Sequence, residues 1–215
     1  NPDLRWEKKK ETNVGLDFGF LQDRITGSVD YYNRKTEDLL WNYSVPTPPF
    51  LYNSMTANGG SIRNTGVEVS VTVVPVQTRD WQWITSMNYS TNKSKLLSLS
   101  SDQYVSNDYS DQGWLPEPMQ MASHRIQVGE PIGNFYGYKS IDIDENGHWI
   151  IEGADGKPKP IEEQVPEDKK IIGNGLPKHF LNWNNTVRYK NFDFTVTMRG
   201  AFGFDILNSA KLQFG

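Results

Sequence analysis

The chain has 215 residues, a formal net charge of −4 and no cysteine. The acidic balance argues against nucleic-acid binding, which depends on a basic surface, and the lack of cysteine excludes disulfides and thiol chemistry. No run approaches the roughly 18 consecutive apolar residues of a membrane-spanning helix. The sequence contains no signal-peptide pattern; from its start at "NPDLRW" and its end at "KLQFG" we expect a piece of a longer protein.

Six segments alternate apolar residues with polar or small ones, which is the pattern of β-strands with one apolar face. In the first segment Val14, Leu16 and Phe18 alternate with Gly15 and Asp17. No segment of comparable strength has the period of a helix, so the chain is predicted to be all-β. The predicted strands are 11–20, 24–33, 64–75, 81–92, 180–189 and 192–203.

The connections between these strands alternate between short and long. Three tight turns join the strands in pairs, and two long loops, 34–61 and 93–178, separate the pairs. Outer-membrane barrels have this alternation of tight periplasmic turns and long extracellular loops, whereas soluble sandwiches have more evenly spaced turns. Ten residues rise about 33 Å and, tilted by about 40°, span roughly 25 Å, the height of a barrel's apolar band. The sequence therefore predicts a section of a large antiparallel transmembrane β-barrel with long extracellular loops.

The short turns supply two further expectations. Aromatic residues cluster beside them, as a girdle at the membrane interface would; they are Phe18, Phe20, Trp81, Trp83, Tyr189 and Phe192. A two-residue turn at Lys190–Asn191 would pair Tyr189 with Phe192 outside the barrel and Arg188 with Asp193 inside. The charged residues predicted to face the lumen are Asp17, Asp30, Glu68, Arg188, Asp193 and Arg199.

Several segments carry a family resemblance. They include the opening "NPDLRWEKKKETNVGLDFGF", the strand "NTGVEVSVTV" with its N-x-G-x-E pattern, and "IIGNGLPK" ahead of a strand. On these segments the chain resembles the SusC/RagA-like family of TonB-dependent outer-membrane transporters, typical of Bacteroidetes. The resemblance covers almost the whole chain, except the loop 94–127, which matches no pattern of the family.

The resemblance implies a many-stranded barrel in the bacterial outer membrane with an N-terminal plug domain and a TonB-contacting segment. Such proteins import glycans, oligosaccharides or peptides, with a SusD-like surface lipoprotein as a lid and TonB as the source of energy. This chain matches the C-terminal-side part of the barrel, and the plug domain is absent from it. The expected partners are the lipoprotein, TonB through regions outside this chain, the lipid bilayer and a glycan or peptide substrate. No cofactor or nucleic-acid partner is expected.

Three other functions are compatible with parts of the pattern. A soluble β-sandwich that binds carbohydrate would bury the apolar faces against a second sheet. A passive porin would have the same barrel without a plug. An outer-membrane enzyme would use lumen carboxylates such as Asp17 and Glu68 as acid and base, but no spacing supports catalysis, so we expect no enzyme.

The segment 142–147, "DIDENG", admits two interpretations. It has the D-x-D-x-N-G start of a calcium loop, but the twelfth position is Gly153, and Glu152 comes one place early. Asn-Gly between apolar residues is also a strong hairpin signal, and we favour the hairpin. The three histidines, His124, His148 and His179, have no metal-ligand spacing.

Aromatic residues in the second long loop are candidates for ligand contact. Tyr104, Tyr109 and Trp114 lie in or beside the polar segment 98–113. Their ring faces could stack on a sugar or hold a peptide, and they could equally pack the loop onto its neighbours or onto the lipoprotein.

Overall fold

A six-stranded antiparallel sheet dominates the computed structural model, which describes residues 1–117 and 119–214. The spatial order β1-β2-β5-β6-β14-β15 keeps every sequential neighbour adjacent, so the sheet is an up-and-down section of wall. Its strands are β1 (Lys8–Phe20), β2 (Ile25–Glu37), β5 (Ser61–Gln77), β6 (Trp81–Ser98), β14 (His179–Tyr189) and β15 (Phe192–Phe202).

The strands run past the predicted bounds at the end remote from the short turns. β2 continues to Glu37 and pairs with β5 as far as Ser61, and β6 continues to Ser98. The alternation of apolar and polar residues stops earlier because both faces are polar there. The ladder nevertheless persists, since backbone pairing does not depend on which side chains flank it.

The register places most apolar residues of the six strands on one face of the sheet, with Phe180 and Ile84 as exceptions on the polar face. Val14 lies opposite Tyr31, and Tyr31 lies opposite Val67. This face is uncovered: the residue exposures are 67% for Leu16 and 76% for Phe192. A soluble β-sandwich would bury such a face against a second sheet, so that alternative is wrong. The face is the lipid-contacting side of a transmembrane β-barrel section.

The two segments predicted as long loops contain further strands. The first holds a hairpin, β3 (Leu40–Ser44) with β4 (Ser54–Asn58). The second holds two small sheets and two short 3₁₀ helices, Ile161–Glu163 and Pro166–Asp168, and a short helix α1 (Ser209–Phe214) follows β15. The strands of the two sheets are β7 (Tyr109–Trp114), β8 (Ala122–Gln127), β9 (Asn134–Gly137) and β13 (Lys170–Asn174) in one, and β10 (Ser140–Ile143), β11 (Trp149–Glu152) and β12 (Pro158–Pro160) in the other.

The buried core lies where these outer segments meet the end of the wall. Tyr43 is 2% exposed, and its hydroxyl donates a hydrogen bond of 2.9 Å to the carbonyl of Leu99. The wall itself has little core because its apolar face meets lipid. The buried apolar residues are Tyr43, Ala57, Leu96, Leu99, Phe135 and Ile151.

A buried carboxylate organises the β10–β12 region. Asp168 is 2% exposed and accepts hydrogen bonds of 2.9 Å from the Lys159 ammonium and from the backbone N–H groups of Val165 and Ala154. These donors, the Lys159 ammonium foremost, lower the pKa of Asp168 to about 2. Asp168 therefore joins the strand β12 to the turns on either side of it.

The segment 142–147 forms the hairpin between β10 and β11, as favoured by the sequence. The Asp144 carboxylate accepts the backbone N–H groups of Asn146 and His148, at 2.9 and 2.7 Å. Glu152 instead binds Lys139 and Lys170, which lower its pKa to about 2. Within the described ranges, no group of three or more His, Asp or Glu residues is arranged to hold a metal ion.

None of the helices in the described residues is long and apolar enough to cross a membrane.

Candidate functional site

The polar face of the sheet is concave. A depression of about 460 Å³ lies on it, crossing from β2 to β15. Charged side chains stand on both sides of this depression, with Asp30 and Glu68 from one half and Arg199 from the other. The remaining polar lining comes from Ser28, Ser70, Asn88, Ser90 and Asn182. The sheet therefore curls around its polar side, and a solute there meets hydroxyls, amides, both signs of charge and the apolar Phe180.

Glycines on this face make room for larger neighbours. A Cβ atom at Gly15 would meet the Asp30 carboxylate, and one at Gly66 would meet the Thr91 carbonyl and the Tyr32 ring. Tyr32 lies across the sheet, and its hydroxyl donates a hydrogen bond of 3.0 Å to Asn92. The alternating small residues of β1 and β5 thus allow polar side chains to lie flat along the wall.

The six charged residues predicted to face the lumen all lie on this polar face, by register. Asp30 stands directly opposite Glu68, so two carboxylates that sequence spacing could not relate are neighbours. Asp17 is opposite Ser28 on the strand at the edge, and Arg199 is opposite Asn182.

The pairing at the Lys190–Asn191 turn is confirmed. Tyr189 is opposite Phe192, and Arg188 is opposite Asp193, with the Arg188 Nε 2.6 Å from the Asp193 Oδ1. Both charged side chains are more than half exposed, at 57% and 60%. The pair lies at the turn, away from the depression. On the apolar face beside it, the rings of Trp81 and Tyr189 are 4.3 Å apart.

A second cavity lies in the outer segments, between the β3–β4 hairpin and β7. This cleft has a volume of about 560 Å³. Three aromatic residues, Trp41, Tyr43 and Tyr109, line it together with amides and hydroxyls, and none of the described residues in the lining is charged. Its other lining residues are Asn42, Ser44, Val105, Ser106, Asn107, Ser110 and Gln112. Aromatic faces beside amide groups are suited to a neutral polar ligand.

The three aromatic residues predicted to contact ligand occupy different surroundings. Tyr109 lines the cleft and is 45% exposed. Tyr104 packs against Tyr43, with the ring centroids 5.2 Å apart, so it supports the cleft wall from behind. Trp114 is 71% exposed at the far end of β7 and does not contribute to the cleft.

Arg125 holds the Tyr109 ring in place. Its guanidinium makes two hydrogen bonds to Asp111, of 2.6 and 2.9 Å, which raise the pKa of Arg125. The same guanidinium lies 4.0 Å from the Tyr109 ring centre and 3.6 Å from that of Tyr136. The cation thus stacks on two rings, and one side of Tyr109 is fixed while the rest of it remains exposed.

Sequence reasoning missed Trp41, Tyr43 and Arg125. The alternation in "LWNYS" is a signal for a short strand with Trp41 and Tyr43 on the same face, although the segment lies within the predicted long loop 34–61. Arg125 had no local signal, because its partners lie on two other strands.

The three histidines lie in different parts of the structure and have different partners. His124 Nδ1 is 2.7 Å from the Ser123 hydroxyl, and His179 Nδ1 is 2.7 Å from the Tyr89 hydroxyl on the apolar face of the wall. His148 Nδ1 lies 3.4 Å from Asp144 on the exposed hairpin.

Comparison with known proteins agrees with the barrel architecture. The family model for the TonB dependent receptor-like β-barrel matches residues 1–205. The TonB-dependent receptor SusC of Bacteroides thetaiotaomicron is 34% identical over 215 residues, covering 94% of this chain and 20% of that protein. The TonB-dependent receptor P3 of Formosa agariphila is 32% identical over 228 residues, covering 100% of this chain and 22% of the relative.

Solved structures show the same fold. The structure of the RagAB peptide transporter superposes with a TM-score of 0.77 at 25% identity, covering 94% of this chain and 22% of that one. The RagAB peptide importer in its open-open state gives a TM-score of 0.79 at 23% identity, covering 95% and 21%. The chain spans about a fifth of the length of these relatives. It belongs to the TonB-dependent receptor-like β-barrel family, as a SusC/RagA-like section of the wall of an outer-membrane barrel.

Proposed function

We propose that the protein containing this wall section imports a bulky nutrient, an oligosaccharide or a peptide, across the outer membrane. The observation that carries the proposal is the concave polar face with Asp30, Glu68 and Arg199 around one depression, in a chain of the TonB-dependent receptor family. A wet, mixed-charge wall lets a polar solute pass without a strong binding step that would trap it.

Transport in this proposal depends on partners outside the chain. TonB supplies the energy through a plug domain elsewhere in the protein, and a SusD-like lipoprotein covers the outer opening. Support comes from the similarity to SusC and to structures of the RagAB peptide transporter. In this proposal the chain contributes part of the barrel wall and the outer segments.

Within that division, Asp17, Asp30, Glu68, Arg188, Asp193 and Arg199 line the lumen. Among the aromatic candidates, Tyr109 makes the ligand contact, with Trp41 on the other side of the cleft. Tyr104 positions the cleft through Tyr43, and Trp114 is available to ligand or lid at the rim.

We infer no catalysis. Asp30 and Glu68 are adjacent, but they belong to the wall of an open depression that a second face of protein does not close within the described residues. The relatives are receptors by name. Replacing Glu68 with Gln should change uptake and produce no change in any hydrolysis of the same solute, measured by chromatography of the medium.

One experiment separates active import from a passive porin. Cells expressing the full-length protein are given a labelled oligosaccharide or a labelled peptide pool, with and without a protonophore. Import through TonB requires that uptake of one of these solutes stops when the proton gradient collapses. Uptake that continues unchanged would establish a porin and overturn the proposal.

The same assay tests the cleft. Tyr109→Ala should lower uptake at limiting solute, because the cleft loses one of its three aromatic residues. Tyr52→Ala is the matched control, since Tyr52 is 77% exposed and lies outside the cleft. Equal uptake by both variants would remove the cleft from the transport path.

A further inference from the structure

The lipid-contacting face carries a row of basic residues above its apolar part. Lys10 is opposite Lys35, Lys35 is opposite Arg63, and Arg63 is opposite Lys95. Neighbouring strands are about 4.8 Å apart, so four cations follow one another over roughly 14 Å. All four are an even number of residues from the apolar positions of their strands, which places them on the outward face. We call these four residues the basic row.

The height of the basic row can be estimated from strand geometry. On β1, β2 and β5 the last apolar row is Val14–Tyr31–Val67, which continues to Thr91 on β6, and the basic row lies four residues further along each of these strands. Four residues rise about 13 Å, or about 10 Å along the membrane normal at the tilt of such barrels. Because the short turns are at the opposite end, the basic row lies just beyond the outer edge of the apolar band, at the depth of the outer-leaflet headgroups.

The row lacks internal neutralisation at one end. Glu37 binds both Lys10 and Lys35, each at 2.7 Å. Arg63 and Lys95 form no ion pair with any of the described residues, and both are exposed. Like charges directly opposite each other destabilise a pair of strands. The Arg63–Lys95 end is therefore available to bind an anion from outside the chain.

The surroundings suit a phosphorylated sugar. A depression of about 470 Å³ is lined by Lys10, four serines and further charged residues, whereas Arg63 and Lys95 lie outside its lining. Its carboxylates face cations of the chain: Lys8 binds Asp38 at 3.0 Å, and Glu37 is held as described. The serines are Ser61, Ser98, Ser100 and Ser101, and Asp102 also lines the depression.

We propose that the basic row binds the phosphate groups of an anionic glycolipid of the outer leaflet, with Arg63 and Lys95 as the principal contacts. A planar guanidinium can grip a phosphate with two hydrogen bonds, and a neighbouring ammonium adds a point charge. The occupant is a lipid rather than a solute or an acidic protein, because the row continues the lipid-contacting face and points away from the lumen.

The test uses the full-length protein in detergent and lipid A with two phosphates as the probe, with retention measured by native mass spectrometry. Each cation near an anionic membrane surface contributes about 1 kcal/mol, or about fivefold in affinity. The double variant Arg63→Gln/Lys95→Gln should therefore lose roughly 25-fold in affinity for this lipid. The control Arg79→Gln/Lys157→Gln removes the same charges from an exposed turn and an exposed outer hairpin and should bind like the unaltered protein.

A third variant should change the affinity for lipid A in the opposite direction. Glu37→Gln frees Lys10 and Lys35 and should strengthen binding several-fold. Lipid A without phosphates should bind all variants equally and weakly. The proposal is overturned if the double variant and the control bind alike, if removing the phosphates leaves affinity unchanged, or if inorganic phosphate competes at the concentration of lipid A. None of these results depends on uptake, so failure here leaves the proposed transport function untouched.

Discussion

Removing the Tyr43 hydroxyl should loosen the outer hairpin from the wall. The hydroxyl donates to the Leu99 carbonyl at 2.9 Å, and both residues are almost fully buried, at 2% and 3% exposure. Tyr43→Phe leaves that carbonyl without a partner, which costs about 1–2 kcal/mol and corresponds to a roughly 5- to 30-fold increase in local opening. Tyr43→Ala also removes the ring that packs on Tyr104 and over Gly59, and should cost about 3–5 kcal/mol.

Hydrogen exchange of the full-length protein, followed on peptides covering 39–60 and 94–106, measures this opening directly. Tyr52→Phe is the matched control, because Tyr52 is 77% exposed and loses no buried hydrogen bond. Protection in both peptides should fall together in Tyr43→Phe and remain unchanged in the control. If Tyr43→Phe and Tyr52→Phe exchange at the same rates, the hydroxyl does not anchor the hairpin and the reasoning is refuted.

Three further outcomes follow from the wall and the outer sheets. Arg188→Gln should change the free energy of unfolding by no more than about 1 kcal/mol, because its partner is more than half exposed; a larger loss in a denaturant titration would contradict this. Gly66→Ala should block barrel assembly, since the added Cβ would meet the Thr91 carbonyl, and the heat-modifiable band should disappear from gels; normal folding would show that the strands can move apart. The pKa of Asp168 is lowered from 3.8 to about 2, so its contribution to stability is complete above pH ~4 and is lost as the pH falls towards 2. Hydrogen exchange of the peptide 154–168 should therefore become faster as the pH falls through that range. The increase should be smaller in the variant Asp168→Asn.

The local sequence pattern was sufficient to predict the six strands of the wall. Alternation with a period of two is a property of each strand by itself, so the six strands and their apolar faces could be predicted before any partner was known. The two-residue turn at Lys190–Asn191 settled the register of β14 and β15 for the same reason, because a tight turn leaves one way to pair its flanking residues.

The strands of the outer segments could not be predicted from local alternation. Their strands are short, such as Asn134–Gly137 with four residues, and they are buried by neighbours rather than by a periodic face. The pairing of β8 with both β7 and β9 brings Asp111, Arg125 and Tyr136 together, although no spacing in the sequence relates them. The cleft between Trp41 and Tyr109 is equally non-local.

The sequence by itself determined the architecture: half-polar strands of membrane-spanning length, tight turns alternating with long connections, and family segments along most of the chain. Only the tertiary structure decided which side chains became neighbours across strands, including the facing carboxylates Asp30 and Glu68 and the basic row from Lys10 to Lys95. The physical reason is that alternation specifies the face on which a residue lies, whereas its height and its cross-strand partner depend on long-range pairing and register.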